Sequence, residues 1–302
     1  MLKRLLSTTK RFGIWYGIIV ILDYVSRHSG EGKIYQRIHK YKYKLVKKFI
    51  LENYYFLPEA GSDANSLIED TKYIWIFWWQ GLDNAPSIVK KCILNVIKKE
   101  KDKKVVIITK QNYSKYVSIS SNIINKVESG KFTLTFFSDI LRFTLLSEYG
   151  GIWMDSTIYL RNSLPNDINS YSFYTVKHNL YSNWHIAGGK WSVFFLCAGR
   201  NNYGVKVIKN ILTKYAENED IIMAYLLVDA VMSVVYDKIP SFKKEVDTVP
   251  INNIKVFQME DDLNTPFENY KIPALINKLS YKKIYSKYIN NKITVYGKII
   301  EG

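Results

Sequence analysis

Residues 138–155 read Ser138-Asp139-Ile140-Leu141-Arg142-Phe143-Thr144-Leu145-Leu146-Ser147-Glu148-Tyr149-Gly150-Gly151-Ile152-Trp153-Met154-Asp155, and Ser156 and Thr157 follow. Ser138 is a helix N-cap by type, and the pattern after it predicts a helix over Asp139–Tyr149. Gly150 and Gly151 end that helix, because glycine takes the left-handed backbone of a helix C-terminus without a Cβ clash. Ile152-Trp153-Met154 then reads as a strand that stops at Asp155. Helix, sharp return and strand together put a carboxylate at the carboxyl end of a strand, the edge where α/β sheets bind ligands. Asp139 and Arg142 stand three apart and share one helix face. Alone they would be a surface ion pair worth about 0.3 kcal/mol. Ahead of a double glycine and a strand that ends in an acid, they read as part of a site.

Working outward, Lys72–Trp79 is a strand, with Gln80 and Gly81 at its end. Pro86 opens a helix over Ser87–Lys99 that carries Ile88, Cys92 and Val96 on one face, and Val105–Thr109 is a short buried strand. Strand, helix, strand in that order marks a parallel sheet. Phe132–Phe137 reads as another extended piece. Helices are expected near Val205–Asn218 and Ile221–Tyr236, and short strands or loops over 281–299. Pro58–Asp70 has loop composition. The fold class is α/β, a mixed sheet flanked by helices over 71–302, with a basic helical N-terminal region over 1–70.

Forty-seven per cent of the 302 residues are hydrophobic, enough for a sizeable core. The two cysteines, Cys92 and Cys197, have neither metal-ligand nor redox-motif spacing, and the four histidines are scattered, so zinc and disulfide frameworks are not expected. The net charge of +16 is uneven: residues 1–50 carry +10, residues 278–302 carry +5 and the body between them +1. Such asymmetry points to an anionic surface met by the two ends. The apolar run 12–22 is shorter than the roughly 20 residues a bilayer span needs, and no small-residue cleavage site follows it. Ile34, Ile38, Tyr41, Leu45 and Phe49 recur at helical spacing among lysines. Two readings stand for that helix: it lies among the headgroups of an anionic membrane, or its stripe packs on the protein body.

The chemistry that these residue types allow is specific. Asp155 offers a carboxylate, and Ser156 and Thr157 offer hydroxyls, an oxygen donor set of the kind Mn²⁺ or Mg²⁺ takes. A cation bridging two phosphates stabilises a departing nucleoside diphosphate. Asp139 can hold ribose hydroxyls, and Arg142 a phosphate or a carboxylate.

The stretch resembles the capsular polysaccharide synthesis family, related to the retaining, DxD-containing GT-A glycosyltransferases and similar to glycosyltransferase family 32, in its DXXR…GGxxxD core. Ile74-Trp-Ile-Phe-Trp-Trp-Gln-Gly81 with Ala85-Pro86 is similar to the family's opening strand. Leu226-Leu-Val-Asp229 and Lys278-Leu-Ser-Tyr281-Lys282 are weaker pieces, and the resemblance covers roughly 71–283. It implies a GT-A-like fold and a metal-dependent hexosyltransferase of bacterial surface polysaccharide synthesis. The donor would be a nucleotide sugar, a UDP-sugar first. The acceptor would be a hydroxyl of a lipid-linked oligosaccharide, with retention at the anomeric carbon.

Carried over residue by residue, Phe77, Trp78, Trp79 and Gln80 would cradle the donor base. Asp139, Arg142, Gly150, Gly151 and His185 would complete donor binding. Asp155 and Thr157 would hold Mn²⁺ or Mg²⁺, and Asp155 and Asp229 would be catalytic. Thr157 departs from the second acid of DxD, so metal binding is weaker or completed elsewhere; Glu260, Asp261 and Asp262 either complete it or form a solvated turn. Adjacent strand residues face opposite ways, so one of Trp78 and Trp79 is expected in the core and the other in the site. His185 is either a phosphate or acceptor contact or a structural histidine. Asp229, read as mid-helix, is either an acceptor contact or base, or a buried structural acid.

The basic ends imply a cytoplasmic enzyme held on the inner face of the cell membrane. A nucleic-acid-binding protein is disfavoured by the neutral body and the lack of an RRM, KH or zinc-finger pattern. A toxin-like protein glycosyltransferase would share the core but would need delivery regions for which 302 residues leave little room.

Overall fold

The computed structural model describes residues 2–302 apart from Glu31, 57–66, 69–71 and Ser182. The loop expected over Pro58–Asp70 lies, except for Leu67 and Ile68, outside the described residues. The chain opens with three helices, α1 (Leu2–Phe12), α2 (Ile14–His28) and α3 (Lys33–Asn53). Gly13 breaks α1 from α2 with φ 91°. On α3 the buried residues are Tyr35, His39, Tyr43, Val46 and Ile50. That face is one residue on from the expected stripe, and Ile34 and Tyr41 are exposed. Tyr43, Val46 and Ile50 turn into the apolar core, and Tyr43 Oη accepts from the Leu226 amide at 3.1 Å. Thus α3 packs on the protein body. Among the described residues, no helix is long and apolar enough to cross a membrane.

Next come β1 (Tyr73–Phe77), α4 (Ser87–Lys99) and β2 (Lys104–Ile108), close to the predicted bounds. Then follow α5 (Ser121–Glu128), α6 (Leu134–Tyr149), β3 (Gly151–Met154), β4 (Ile158–Leu160), β5 (Phe173–Thr175) and β6 (Phe195–Ala198). The stretch expected to be extended over Phe132–Phe137 instead enters α6, capped by Thr133, whose Oγ1 accepts from the Phe136 amide at 3.2 Å. Its aromatic and β-branched residues favour a strand locally, but burial of Phe132, Phe136 and Phe137 overrides that preference. Ser138 is therefore inside the helix and is not its cap.

The remaining elements are α7 (Tyr203–Asn218), α8 (Leu227–Lys238), α9 (Pro240–Thr248), α10 (Gln258–Asp261), β7 (Ile276–Lys278), β8 (Tyr288–Ile289), β9 (Lys292–Ile293) and α11 (Val295–Glu301). Helix α8 starts six residues later than expected from Ile221, because the segment before it is held in another way. Tyr215 Oη donates to the Ile221 carbonyl at 2.7 Å and accepts from the Met223 amide at 2.8 Å. Asp229 thus sits in the first turn of α8, not mid-helix. Helix α11, unexpected from the sequence, is capped by Thr294, which accepts from the Gly297 amide at 2.9 Å.

The main sheet has the order β2-β1-β3-β6-β5. Strand β1 runs parallel to both β2 and β3, while β6 is antiparallel to β3 and β5 to β6. This is the expected mixed sheet flanked by helices. Alternation along β1 and β3 splits the core into two layers. Trp75 and Trp153 face the layer with α6, α7 and α8, while Ile74, Ile76, Ile152 and Met154 face the layer with α4. Tyr16, Tyr43, Val46 and Ile50 of the N-terminal helices belong to the first layer.

The double glycine has a steric cause. Gly150 closes α6 with φ 68°, and Gly151 opens β3 with φ 103°. A Cβ on Gly151 would lie 2.5 Å from the Tyr73 carbonyl oxygen of β1. Gly151→Ala therefore both strains the backbone and pushes β3 off β1. It is expected to cost about 2–4 kcal/mol, read as a lower midpoint in a urea titration at unchanged slope. A midpoint equal to the parent's would mean that the bend tolerates a side chain.

Candidate functional site

Strands β1 and β3 run parallel, so Trp78-Trp79-Gln80 and Asp155-Ser156-Thr157 emerge at the same sheet edge. There they line a cleft of about 370 Å³. Phe77, Arg142 of α6 and Lys278 and Tyr281 from the end of β7 join them. The small sheet of β4 and β7 brings Lys278 in: its antiparallel register pairs Ile158 with Lys278.

Asp155 is the centre of the polar contacts. Its Oδ1 accepts from Arg142 Nη2 at 3.3 Å and from Trp153 Nε1 at 3.1 Å. Its Oδ2 accepts from Lys278 Nζ at 3.0 Å, and the same ammonium donates to Thr157 Oγ1 at 2.6 Å. Burial pushes this carboxyl upward, but Lys278 and Arg142 outweigh it and hold the group below the usual carboxylate range. The side chain keeps 29% of its surface exposed to the cleft. It is an ionised carboxylate clamped between two cations.

Beneath it, Arg142 is buried, its guanidinium 4.9 Å over the Trp153 ring and paired to Asp139 Oδ1 at 2.5 Å. Asp139 is pushed up to about 7 by burial, which Arg142 opposes and the charges of Asp229 and Asp155 reinforce. Asp139 does not line the cleft; it sits behind Arg142 and aims it. Asp229 is also behind the wall, buried on α8, accepting from Trp191 Nε1 at 2.9 Å, and burial raises it to about 6. Neither the cleft lining nor any hydrogen bond places Asp229 where a reacting atom would be. Gly150 and Gly151 lie at the opposite end of β3 and shape the bend, not the cleft.

Trp78 and Trp79 both line the cleft, against the expectation that one would be core. They lean on opposite core layers, Trp79 on the α6 side and Trp78 on the α4 side, but at the sheet edge both stay half-buried and open to the cleft. Trp79 leans on Phe137 and Tyr113, while Trp78 meets Tyr281 edge-on at 5.3 Å. Trp78 Nε1 and Arg142 Nε are buried and have no hydrogen-bond partner among the described residues. His185 lines a different cleft, beside α3 and α8. Burial and the nearby His39 and His178 lower it to about 4. It is neutral near pH 7 and brings no positive charge to a phosphate.

A divalent cation on Asp155 and Thr157 does not fit these residues. Both carboxylate oxygens and the Thr157 hydroxyl already accept hydrogen bonds from cationic or indole donors. A dication there would stand beside two positive charges. Among the described residues no group of three or more His, Cys, Asp or Glu side chains could hold a metal. Glu260 and Asp262 do not come to the cleft: Glu260 pairs with Lys283 at 2.7 Å, and Asp262 accepts from Tyr270 at 3.2 Å.

The residue that sequence reasoning left without a role is Lys278. Its only signal was membership in the weak piece Lys278–Lys282, and its partner strand lies about 120 residues earlier in the chain.

A curated relative from Aspergillus fumigatus, glycosyltransferase afumC, is 26% identical over 104 residues, which cover 32% of this chain and 27% of that protein. The chain thus spans about a quarter of that relative's length. A solved structure described as PaToxG glycosyltransferase is similar with a TM-score of 0.41 and 15% identity, covering 71% of this chain and 83% of that one. The model of one family, described as capsular polysaccharide synthesis protein, matches residues 27–299 and so takes in both clefts and every site residue named above; the chain belongs to that family.

Proposed function

We propose that this chain is a glycosyltransferase that moves a hexosyl group from a nucleoside diphosphate sugar, a UDP-hexose first, to a hydroxyl of a lipid-linked oligosaccharide in capsular or surface polysaccharide synthesis, with retention at the anomeric carbon. The observation that carries this reading is Asp155 between Arg142 and Lys278, in a cleft walled by Trp78, Trp79 and Tyr281. Family membership and the similarity to the Aspergillus glycosyltransferase support the same class.

The bond that breaks joins the anomeric carbon to a diphosphate oxygen. The bond that forms joins that carbon to the acceptor oxygen, whose proton leaves with the diphosphate. Negative charge grows on the departing diphosphate, and fixed cations aimed at that charge lower the barrier. Here those cations are Lys278 and Arg142. Trp78 and Trp79 offer flat faces for the donor base. Asp155 holds both cation heads in place and keeps an exposed edge toward the donor. Because the ammonium stands where a metal was expected, the reaction runs without a divalent cation.

The test is a donor screen by nucleotide release, with Mn²⁺, with Mg²⁺ and with EDTA. Release from one nucleotide sugar, unchanged by EDTA, is the expected result. Release that collapses in EDTA and returns with Mn²⁺ would overturn the metal-free mechanism; no release from any donor would overturn the class. Product analysis with lipid-linked and protein acceptors separates surface polysaccharide synthesis from protein glycosylation.

The proposal includes a place on the inner face of the cell membrane, but through α2 and not α3. Ile14, Ile18, Leu22 and Val25 form an exposed stripe on α2, and Trp15 beside it is 77% exposed. With the +10 charge of residues 1–50, that stripe suits an anionic bilayer surface. Trp15→Glu/Ile18→Glu is expected to cut sedimentation with phosphatidylglycerol-containing vesicles at least tenfold. Equal sedimentation of both proteins would sink this part of the proposal.

A further inference from the structure

A second and larger cleft, of about 620 Å³, lies between α3, α8 and residues 183–191. Its charge is one-sided. Arg37, Lys40, Lys44, Lys47 and Lys190 line it against one carboxylate, Asp237. Lys47 takes that carboxylate, Nζ to Oδ2 at 2.6 Å. Among the described residues, no carboxylate pairs with Arg37, Lys40, Lys44 or Lys190. Four cations on one concave surface repel one another and concentrate an anion there. Guanidinium and ammonium groups together match phosphate oxygens in geometry and charge.

The walls are aromatic. Trp184 is braced edge-on by Tyr35 at 5.5 Å and His39 at 5.1 Å, leaving an indole at the cleft. Lys190 lies 5.1 Å over the Tyr236 ring. A cleft of this size with apolar rings and converging cations suits a small amphiphilic anion. It also adjoins the donor cleft: Trp191 lines this one, and Val193, two residues on, lines the other. Trp191 donates to Asp229, whose charge raises buried Asp139 behind Arg142.

We infer that this cleft is the acceptor site and takes a phosphate or diphosphate ester, with the ester's organic part on the aromatic wall. Its role as acceptor site rests on the glycosyl-transfer reading; its chemistry as a phosphoanion site does not. The ester comes either from a lipid headgroup or from a free sugar phosphate.

Titration calorimetry on the full chain separates these cases, with n-octyl phosphate below its micelle concentration as one probe and glucose 1-phosphate as the other. At least one binds, and Lys40→Glu/Lys44→Glu weakens that binding tenfold or more. Both lysines are exposed on α3, and Lys40→Gln/Lys44→Gln, which removes charge without reversing it, gives a smaller loss of the same sign. Tighter binding of octyl phosphate supports a lipid-borne ester, and equal binding supports a soluble one. No binding of either probe to the parent chain, or unchanged binding in both variants, overturns the site. UDP is itself a diphosphate ester that the second cleft would take, so UDP titrated into the Lys40→Glu/Lys44→Glu variant reports the donor cleft separately. Lysine-dependent binding of octyl phosphate in a chain that releases nucleotide from no donor in the screen upholds the phosphoanion site and removes the glycosyltransferase reading.

Discussion

Asp155→Asn is expected to lower nucleotide release from the donor by about a thousandfold, the upper range for loss of one preorganised electrostatic group. Asparagine keeps the shape and one acceptor oxygen but removes the charge that holds Arg142 and Lys278 side by side. Lys278 Nζ then loses its 3.0 Å ionic partner, and Arg142 keeps Asp139 as its one anionic partner among the described residues. Asp139 does not fully replace the lost charge, since burial raises it to about 7. The cations part, and the donor diphosphate meets a disordered pair. Some stability goes with the charge, about 1–3 kcal/mol for a lost charge-assisted hydrogen bond, so rates are compared well below the thermal midpoint. Release within threefold of the parent, in a protein with an unchanged circular dichroism spectrum, would remove Asp155 from the mechanism.

Lys278→Met keeps the aliphatic stem over Phe194, which the ammonium overlies at 5.7 Å, and deletes the charge. Nucleotide release is expected to fall about a hundredfold. The smaller variant Lys278→Ala has a second readout. Without the ammonium, Asp155 Oδ2 and Thr157 Oγ1 become free oxygen donors, the type of ligand a hard cation takes. Part of the lost activity is then expected to return with millimolar Mn²⁺, in a protein whose parent ignores EDTA. A parent that needs Mn²⁺, together with a Lys278→Met variant of full activity, would reverse the assignment and restore the metal that Asp155 suggests from sequence.

The parallel β1-α4-β2 unit, the double-glycine bend and the strand that delivers Asp155 were legible in the sequence because each rests on local rules: hydrophobic period, helix capping and the φ freedom of glycine. The start of α6 was not, because Phe132, Phe136 and Phe137 favour strand locally and only their burial makes them helical. The face of α3 was missed by one residue for a similar reason. Its lysines and aromatics fit more than one stripe, and the helix it packs against, α8, fixed the choice. Trp78 and Trp79 were misjudged because alternation puts them on opposite layers but does not say that, at the sheet edge, both layers stay open to the same cleft.

By itself, the sequence determined that Asp155 follows a buried strand at the carboxyl edge of the sheet and that Arg142 lies on the preceding helix, since these follow from spacing within one short stretch. Only the tertiary structure decided which cation faces that carboxylate. Lys278 arrives through an antiparallel pairing between segments about 120 residues apart. A pairing at that separation depends on the free energy of the whole packed core, which no local pattern encodes.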